Sequence, residues 1–388
     1  MSIRKQNKKI LVHNSKTELI LDNYLDRNVK SMLLAFVTIQ TVMLVPKFRI
    51  KNNIITPNDT LFKLLLCIGI AIYIFGNVYQ LYHISDEDLQ QFSLIKIQDF
   101  VLYSNYFSNI IGFFVYFLII LVQSKSNVQF IINFQTVFRF FYNDVIAKKY
   151  VRRNWISIAI IVGFYILFVI YNCLMYRDLP IFFTITVITP IVFDVDLICA
   201  IKFIEALNDK VVLWNRYVLD SVENVSCLKN LLEIYIHILK TYDIYKCNYQ
   251  VLILYHTFRN IFHTLLNVEM LIQYYELSRG TKENYIILSS TTMISIWLLK
   301  NLVIQVILFT YCEAFYITIE KSQDICSLVL KSNYSEANKK LCKNVRRLHR
   351  ASFSKMRACQ LFYVDVCHLL HLFELLAINS IVLLQFAF

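Results

Sequence analysis

Glycine and proline are nearly absent, five and four among 388 residues. So few breakers exclude the strand-and-turn rhythm of an outer-membrane barrel. The scattered glycines leave no loop to cradle a nucleotide phosphate, and neither Gly-x-Ser-x-Gly nor His-Glu-x-x-His occurs. No enzymatic activity and no cofactor is expected. The first thirty residues are polar and basic and lack a signal-peptide apolar core, so no cleavage is expected.

What the chain has instead is apolar surface, with 57% hydrophobic and 15% aromatic residues. That is too apolar for one soluble domain, and the expected class is an all-α, polytopic membrane protein. Runs long enough to span a bilayer occupy residues 61–82, 100–122, 155–176, 179–201, 251–275, 285–312 and 361–388. The fifth is interrupted by His256, Arg259, His263 and Glu269. A shorter run, 31–45, ends at Pro46 and reads as interfacial or packed in protein.

The net charge of +12 is informative through its distribution. Segments 1–60, 123–154, 207–246 and 317–360 carry ten, six, five and ten Lys/Arg, together thirty-one of thirty-nine. The alternate segments 83–98, 177–180 and 279–284 carry one, one and two. The positive-inside rule then predicts seven transmembrane helices with the N-terminus cytosolic and the C-terminus extracellular. Asp86, Glu87 and Asp88 fall in the first outer loop. None of the ten cysteines falls in an outer loop, so no extracellular disulfide framework is implied. In a soluble protein this charge would suggest nucleic acid or anionic lipid, but here its position matters more than its sum, and the expected partner is membrane lipid with no nucleic acid.

The expected organisation is a cytosolic segment 1–60 with a short interfacial helix, spans one to four in 61–206, and a cytosolic helical extension in 207–250. Spans five and six follow in 251–316, a cytosolic helix in 317–360 and span seven in 361–388. Beyond Pro190 there is no proline and only Gly280, so helices there are expected to run past the bilayer. A helix over 228–277 would measure roughly 75 Å, with a turn at Gly280 joining it to the next span.

Polar groups inside the spans are the candidates for function. Asp194 and Lys300 both fall near 20 Å from the outer ends of their spans, at about 1.5 Å per residue, and can pair for structure or for function. Glu269 lies shallower, facing either that pair or an outer cavity. Outer halves of spans two to six are rich in aromatic, amide and hydroxyl groups: Tyr106, Asn109, Tyr171, Thr186, Asn267, Gln273, Tyr274, Thr291 and Trp297. As a set they suggest a small-molecule pocket, although interface-belt or packing roles account for any one of them. Asp365, His368, His371 and Glu374 resemble a ligand set by spacing, but polar packing is the expected role and no metal site is assigned. On the last span Ile378, Ile381, Val382 and Gln385 share one face. Several copies around an axis would form a hydrophobic constriction capped by amides. A secondary transporter using Asp194, Glu269 and Lys300 is an alternative, as is a G-protein-coupled receptor.

The ending Ile378-Asn379, Ser380 to Leu384, Gln385-Phe386 resembles the close of insect gustatory receptors, relatives of the insect odorant receptors, which have Thr-Tyr, five apolar residues and Gln-Phe. Ala358-Cys-Gln-Leu-Phe-Tyr-Val-Asp365 resembles the family's stretch before that helix. Asn379 stands where the family has tyrosine. The resemblance implies a tetrameric, tastant-gated, non-selective cation channel in the plasma membrane of sensory neurons, homomeric or built with related receptors. It further implies a pore lined by span seven, with Gln385 and Phe386 outermost and Ile381 and Val382 below. The pocket composition, more aromatic than acidic, favours a bitter or other non-sugar ligand.

Overall fold

The computed structural model describes residues 23–83, 96–175, 184, 187–220, 225–278 and 284–387. Asp86, Glu87, Asp88, Thr186 and the Gly280 turn lie outside these residues, and the side chain of Phe386 is likewise not described.

Nine helices and two hairpins are described. They are α1 Arg27–Val42, β1 Arg49–Lys51, β2 Ile54–Thr56, α2 Thr60–His83, α3 Lys96–Phe140, α4 Asp144–Met175, α5 Ile191–Asp220, α6 Val225–Ser278, α7 Asn284–Lys331, α8 Glu336–Ser352, β3 Arg357–Ala358, β4 Phe362–Tyr363 and α9 Val366–Ala387. With few breakers α6 runs for 54 residues, about 80 Å at 1.5 Å each, and includes the whole of the long helix expected over 228–277. Among the described residues five stretches are long and apolar enough to cross a membrane: Thr60–Tyr79, Tyr103–Phe140, Asp144–Leu174, Leu288–Lys331 and Val366–Gln385. The other two expected spans fall on α5 and α6. There, charged and imidazole side chains such as Asp194, Asp196, Arg259 and His263 dilute the apolar run.

α3 lies along α6 and α7 along α5, α2 flanks α3, and α1 packs on α4 and α5. One end of this bundle closes on aromatic residues. Trp214 Nε1 donates to the Leu231 carbonyl at 2.9 Å and its ring lies 4.7 Å from that of Tyr235. Tyr242 packs on Phe315 at 4.7 Å and on Phe353 at 5.7 Å, which ties α6 to α7 and to the end of α8. Nearby, Lys210 Nζ donates to the Phe141 carbonyl at 3.0 Å and sits 4.1 Å from the Phe138 ring centroid, and burial pushes its ammonium down to about 8.

α1 is fastened to the bundle through a buried carboxylate. Asp196 accepts from Gln40 Nε2 at 2.7 Å and pairs with Lys47 Nζ at 2.8 Å. The turn after α1 brings Leu44 into the left-handed region, φ 59°, directly against α2. A Cβ on Gly69 would stand 2.9 Å from the Leu44 carbonyl oxygen, a backbone atom that cannot rotate away. Gly69→Ala should therefore cost about 1–3 kcal/mol, read as a lower midpoint in thermal unfolding of the detergent-solubilised protein.

Several expectations change. Span four does not run unbroken from 179 to 201, because the chain turns at Thr189-Pro190 and α5 starts at Ile191. Proline lacks the N–H that would continue the helix, so Asp194 occupies the first turn of α5 rather than the middle of a span. The extension expected over 207–250 is shared between the end of α5 and the start of α6. The single helix expected over 317–360 is broken after Lys331, where Ser335 caps α8 by accepting from the Asn338 amide at 3.3 Å. The last helix begins at Val366, not at residue 361, because the β3–β4 hairpin intervenes, turning at Cys359 and Gln360 with φ of 47° and 66°. Asp365 caps α9 by accepting from the His368 amide at 2.9 Å, and the His368 ring stacks on Phe362 at 4.1 Å. His371 pairs with Glu374 at 3.5 Å on an exposed face.

Candidate functional site

A cavity of about 280 Å³ opens between the halves of α3, α4, α6 and α7 remote from the aromatic closure, and the turn before α5 forms part of its wall. α3 contributes Asn105, Tyr106 and Asn109, α4 contributes Phe168 and Asn172, and the turn contributes Val187 and Pro190. α6 supplies Arg259, His263, Asn267, Met270 and Tyr274, and α7 supplies Ser290, Met293, Ile294 and Trp297. The α6 residues are spaced four, four, three and four apart, which keeps them on one face through four turns.

Five residues singled out in sequence come together here: Tyr106, Asn109, Asn267, Tyr274 and Trp297. Tyr171 sits behind the wall, where its hydroxyl lies 2.5 Å from Ser289 Oγ and ties α4 to α7. Gln273 points along α6 and donates to Glu269 at 3.4 Å. Neither it nor Thr291 lines the cavity. Arg259, His263, Asn105, Asn172 and Ser290 are lining residues that residue-type reasoning passed over. The spacing on α6 was the available signal for the first two.

Below the cavity lies a buried polar network. Lys300 Nζ is 2.5 Å from Asp194 Oδ2, the Tyr165 hydroxyl donates to the same oxygen at 2.8 Å, and His256 Nε2 lies 3.8 Å from Asp194 Oδ1. The Lys300 ammonium also sits 4.2 Å from the centroid of Trp297, so a wall residue of the cavity rests on the ion pair. Glu269 is held by Gln273 instead, and a three-member ion site with Asp194 and Lys300 is not assembled. Beside the pair, Arg259 donates to Asn109 Oδ1 at 2.9 Å, and Asn109 Nδ2 reaches Asn77 Oδ1 at 3.4 Å. α2, α3, α4, α5, α6 and α7 thus meet around the cavity floor.

α9 is the other notable element. It rests mainly on α6, with a smaller contact to α7, through Leu369 and Leu372, both under one-tenth exposed. Ile378, Ile381 and Val382 are 54%, 55% and 40% exposed, and Gln385 is exposed as well. At 3.6 residues per turn these four point away from the docked stripe of Leu369, Leu372 and Leu376. Beside that stripe Asn260 is hydrogen-bonded to Gln305, a polar link between α6 and α7.

No protein-family model matches the chain, and no curated protein matches it in sequence. The structure of the insect olfactory receptor OR5 from Machilis hrabei matches with a TM-score of 0.56 at 11% identity, over 93% of this chain and 100% of that one. The matched protein is a receptor rather than an enzyme, and this chain shares the fold of that olfactory receptor, a mainly helical architecture with five described stretches long and apolar enough to cross a membrane.

Proposed function

We propose that this chain is a gustatory receptor, a tastant-gated, non-selective cation channel. The observation that carries the reading is the pairing of an open-mouthed cavity between the helices with a last helix that has one docked face and one bare apolar face ending in Gln385. The cavity, formed where α3, α4, α6 and α7 meet, takes the tastant. Four copies, of this chain alone or with related receptors, turn their α9 helices to a common axis. Ile378, Ile381 and Val382 form the constriction, with Gln385 and Phe386 at its outer mouth.

Loop charge supports a cytosolic N-terminus and an extracellular C-terminus, which places the cavity on the outer side and the aromatic closure in the cytosol. Ligand in the cavity contacts α6 and α7 together, and these are the helices on which α9 is docked. A shift of those two helices is transmitted to α9 through Leu369 and Leu372. The half-matched ending supports taste, and the location proposed is the plasma membrane of sensory dendrites. An odorant is the second reading, favoured by the fold match to an olfactory receptor.

Calcium imaging of cells expressing this chain alone, challenged with panels of bitter compounds, sugars and volatiles, tests the proposal. A response to non-volatile bitter compounds is expected. Responses confined to volatiles would replace taste by odour. Asn267→Leu, which removes a buried amide from the cavity wall, should shift the half-maximal concentration of an active compound about five- to tenfold, one lost hydrogen bond being about 1 kcal/mol, with the maximum current unchanged.

A further inference from the structure

The cavity holds a cation that no carboxylate among the described residues neutralises. Asp194 is paired with Lys300 at 2.5 Å and Asp196 with Lys47 at 2.8 Å, while Glu269 is bonded by Gln273. Arg259 forms no ion pair among the described residues. Its guanidinium donates to the neutral Asn109 at 2.9 Å and lies 5.5 Å from the Phe193 ring centroid, and its buried Nε has no hydrogen-bond partner. A guanidinium carries five N–H donors and stays charged at any physiological pH. Arg259 is half-buried in the cavity wall, where such a charge is best stabilised by an anion or a dense set of acceptors. The wall of the same cavity carries aromatic and thioether groups, Phe168, Trp297 and Met270 among them, with His263 and Asn267 on the same face of α6 as Arg259.

We infer that the cavity selects small aromatic or apolar organic acids, whose carboxylate is received by Arg259 while the ring packs against Trp297 and Phe168. This rests on the reading of the cavity as the ligand site. An acid supplies the missing countercharge through charge-assisted hydrogen bonds, which are roughly twice as strong as neutral ones. A neutral ligand of the same shape leaves the guanidinium uncompensated.

The test uses the full chain in lipid nanodiscs and two probes of nearly equal shape, 4-nitrobenzoate, ionised at neutral pH, and 4-nitrobenzamide. Both quench tryptophan, and Trp297 stands in the cavity wall, so quenching lost in Trp297→Phe reports occupancy. The acid should bind about tenfold or more tightly than the amide. Arg259→Gln should erase that preference by weakening the acid alone, and Arg259→Lys should retain most of it. Equal binding of the two probes to the native chain would overturn the inference while leaving the ligand site in place. So would an Arg259→Gln protein that loses both probes alike. Absence of any Trp297-dependent quenching would remove the ligand site itself. If Arg259→Gln fails to fold, the acid-over-amide ratio in the native chain and in Arg259→Lys decides.

Discussion

Asp194→Leu should remove most of the folded protein. The substitution leaves the Lys300 ammonium, 8% exposed, without its carboxylate in the middle of the bundle, and strands the Tyr165 hydroxyl that donated to the same oxygen at 2.8 Å. Breaking one side of a buried pair costs about 3–5 kcal/mol, a large share of the 5–15 kcal/mol that holds a typical protein together. Removing both charges is far milder. The double variant Asp194→Leu, Lys300→Met should recover most of the loss, short by about 1–2 kcal/mol for the unpartnered Tyr165. Fluorescence-detected gel filtration after heating, together with surface labelling of an epitope tag, measures both. A double variant as unstable as the single would show that Asp194 matters for something other than its pair. A transporter in which the pair carries an ion would instead lose all transport in the double variant even when it is well folded.

Making the proposed constriction polar should have the second large effect. Ile381 and Val382 lie on the bare side of α9, and a ring of such side chains closes a pore by excluding water. Ile381→Ser combined with Val382→Ser should wet that ring and give a standing current without ligand, several-fold above the native leak and with little loss of folded protein. Leu372→Ala is the contrast. It lies on the docked stripe, 7% exposed, and should cost about 2–5 kcal/mol and lower the amount of folded protein without opening the pore. Whole-cell recording at matched surface expression separates the two. A silent double serine variant with normal expression would place the constriction elsewhere.

The helices were legible in sequence where apolar length and the absence of breakers acted alone. α2 and the start of α7 lie within about two residues of the apolar runs, and the reach of α6 follows from a segment with no proline or glycine. The two hairpins were not legible, since their left-handed positions are Asn52, Asn53, Cys359 and Gln360 rather than glycine. Only the Asn-Asn pair carries a turn signal of its own. Pro190 was visible, but the apolar residues on both sides masked its effect as a helix stop. For the cavity, aromatic and amide residues marked part of the wall. Arg259 and His263 interrupt the apolar run by residue type, and only their four-residue spacing with Asn267 marks them as one face of the cavity wall. Only the three-dimensional arrangement shows that Asp194 is already paired with Lys300 and that Arg259, among the described residues, meets the neutral Asn109 instead of a carboxylate. The bare face of α9 is likewise a property of packing, as the sequence shows the face but not which side α6 covers.

The central claim is that α9 lines a cation pore with Gln385 at its mouth, and single-channel recording of Gln385 variants tests it most directly. Gln385→Ala should change unitary conductance, and Gln385→Glu, which adds a ring of negative charge, should raise cation conductance and the relative permeability of divalent cations while ligand sensitivity stays the same. Unitary currents identical to native in conductance and ion selectivity for both variants would take α9 out of the pore.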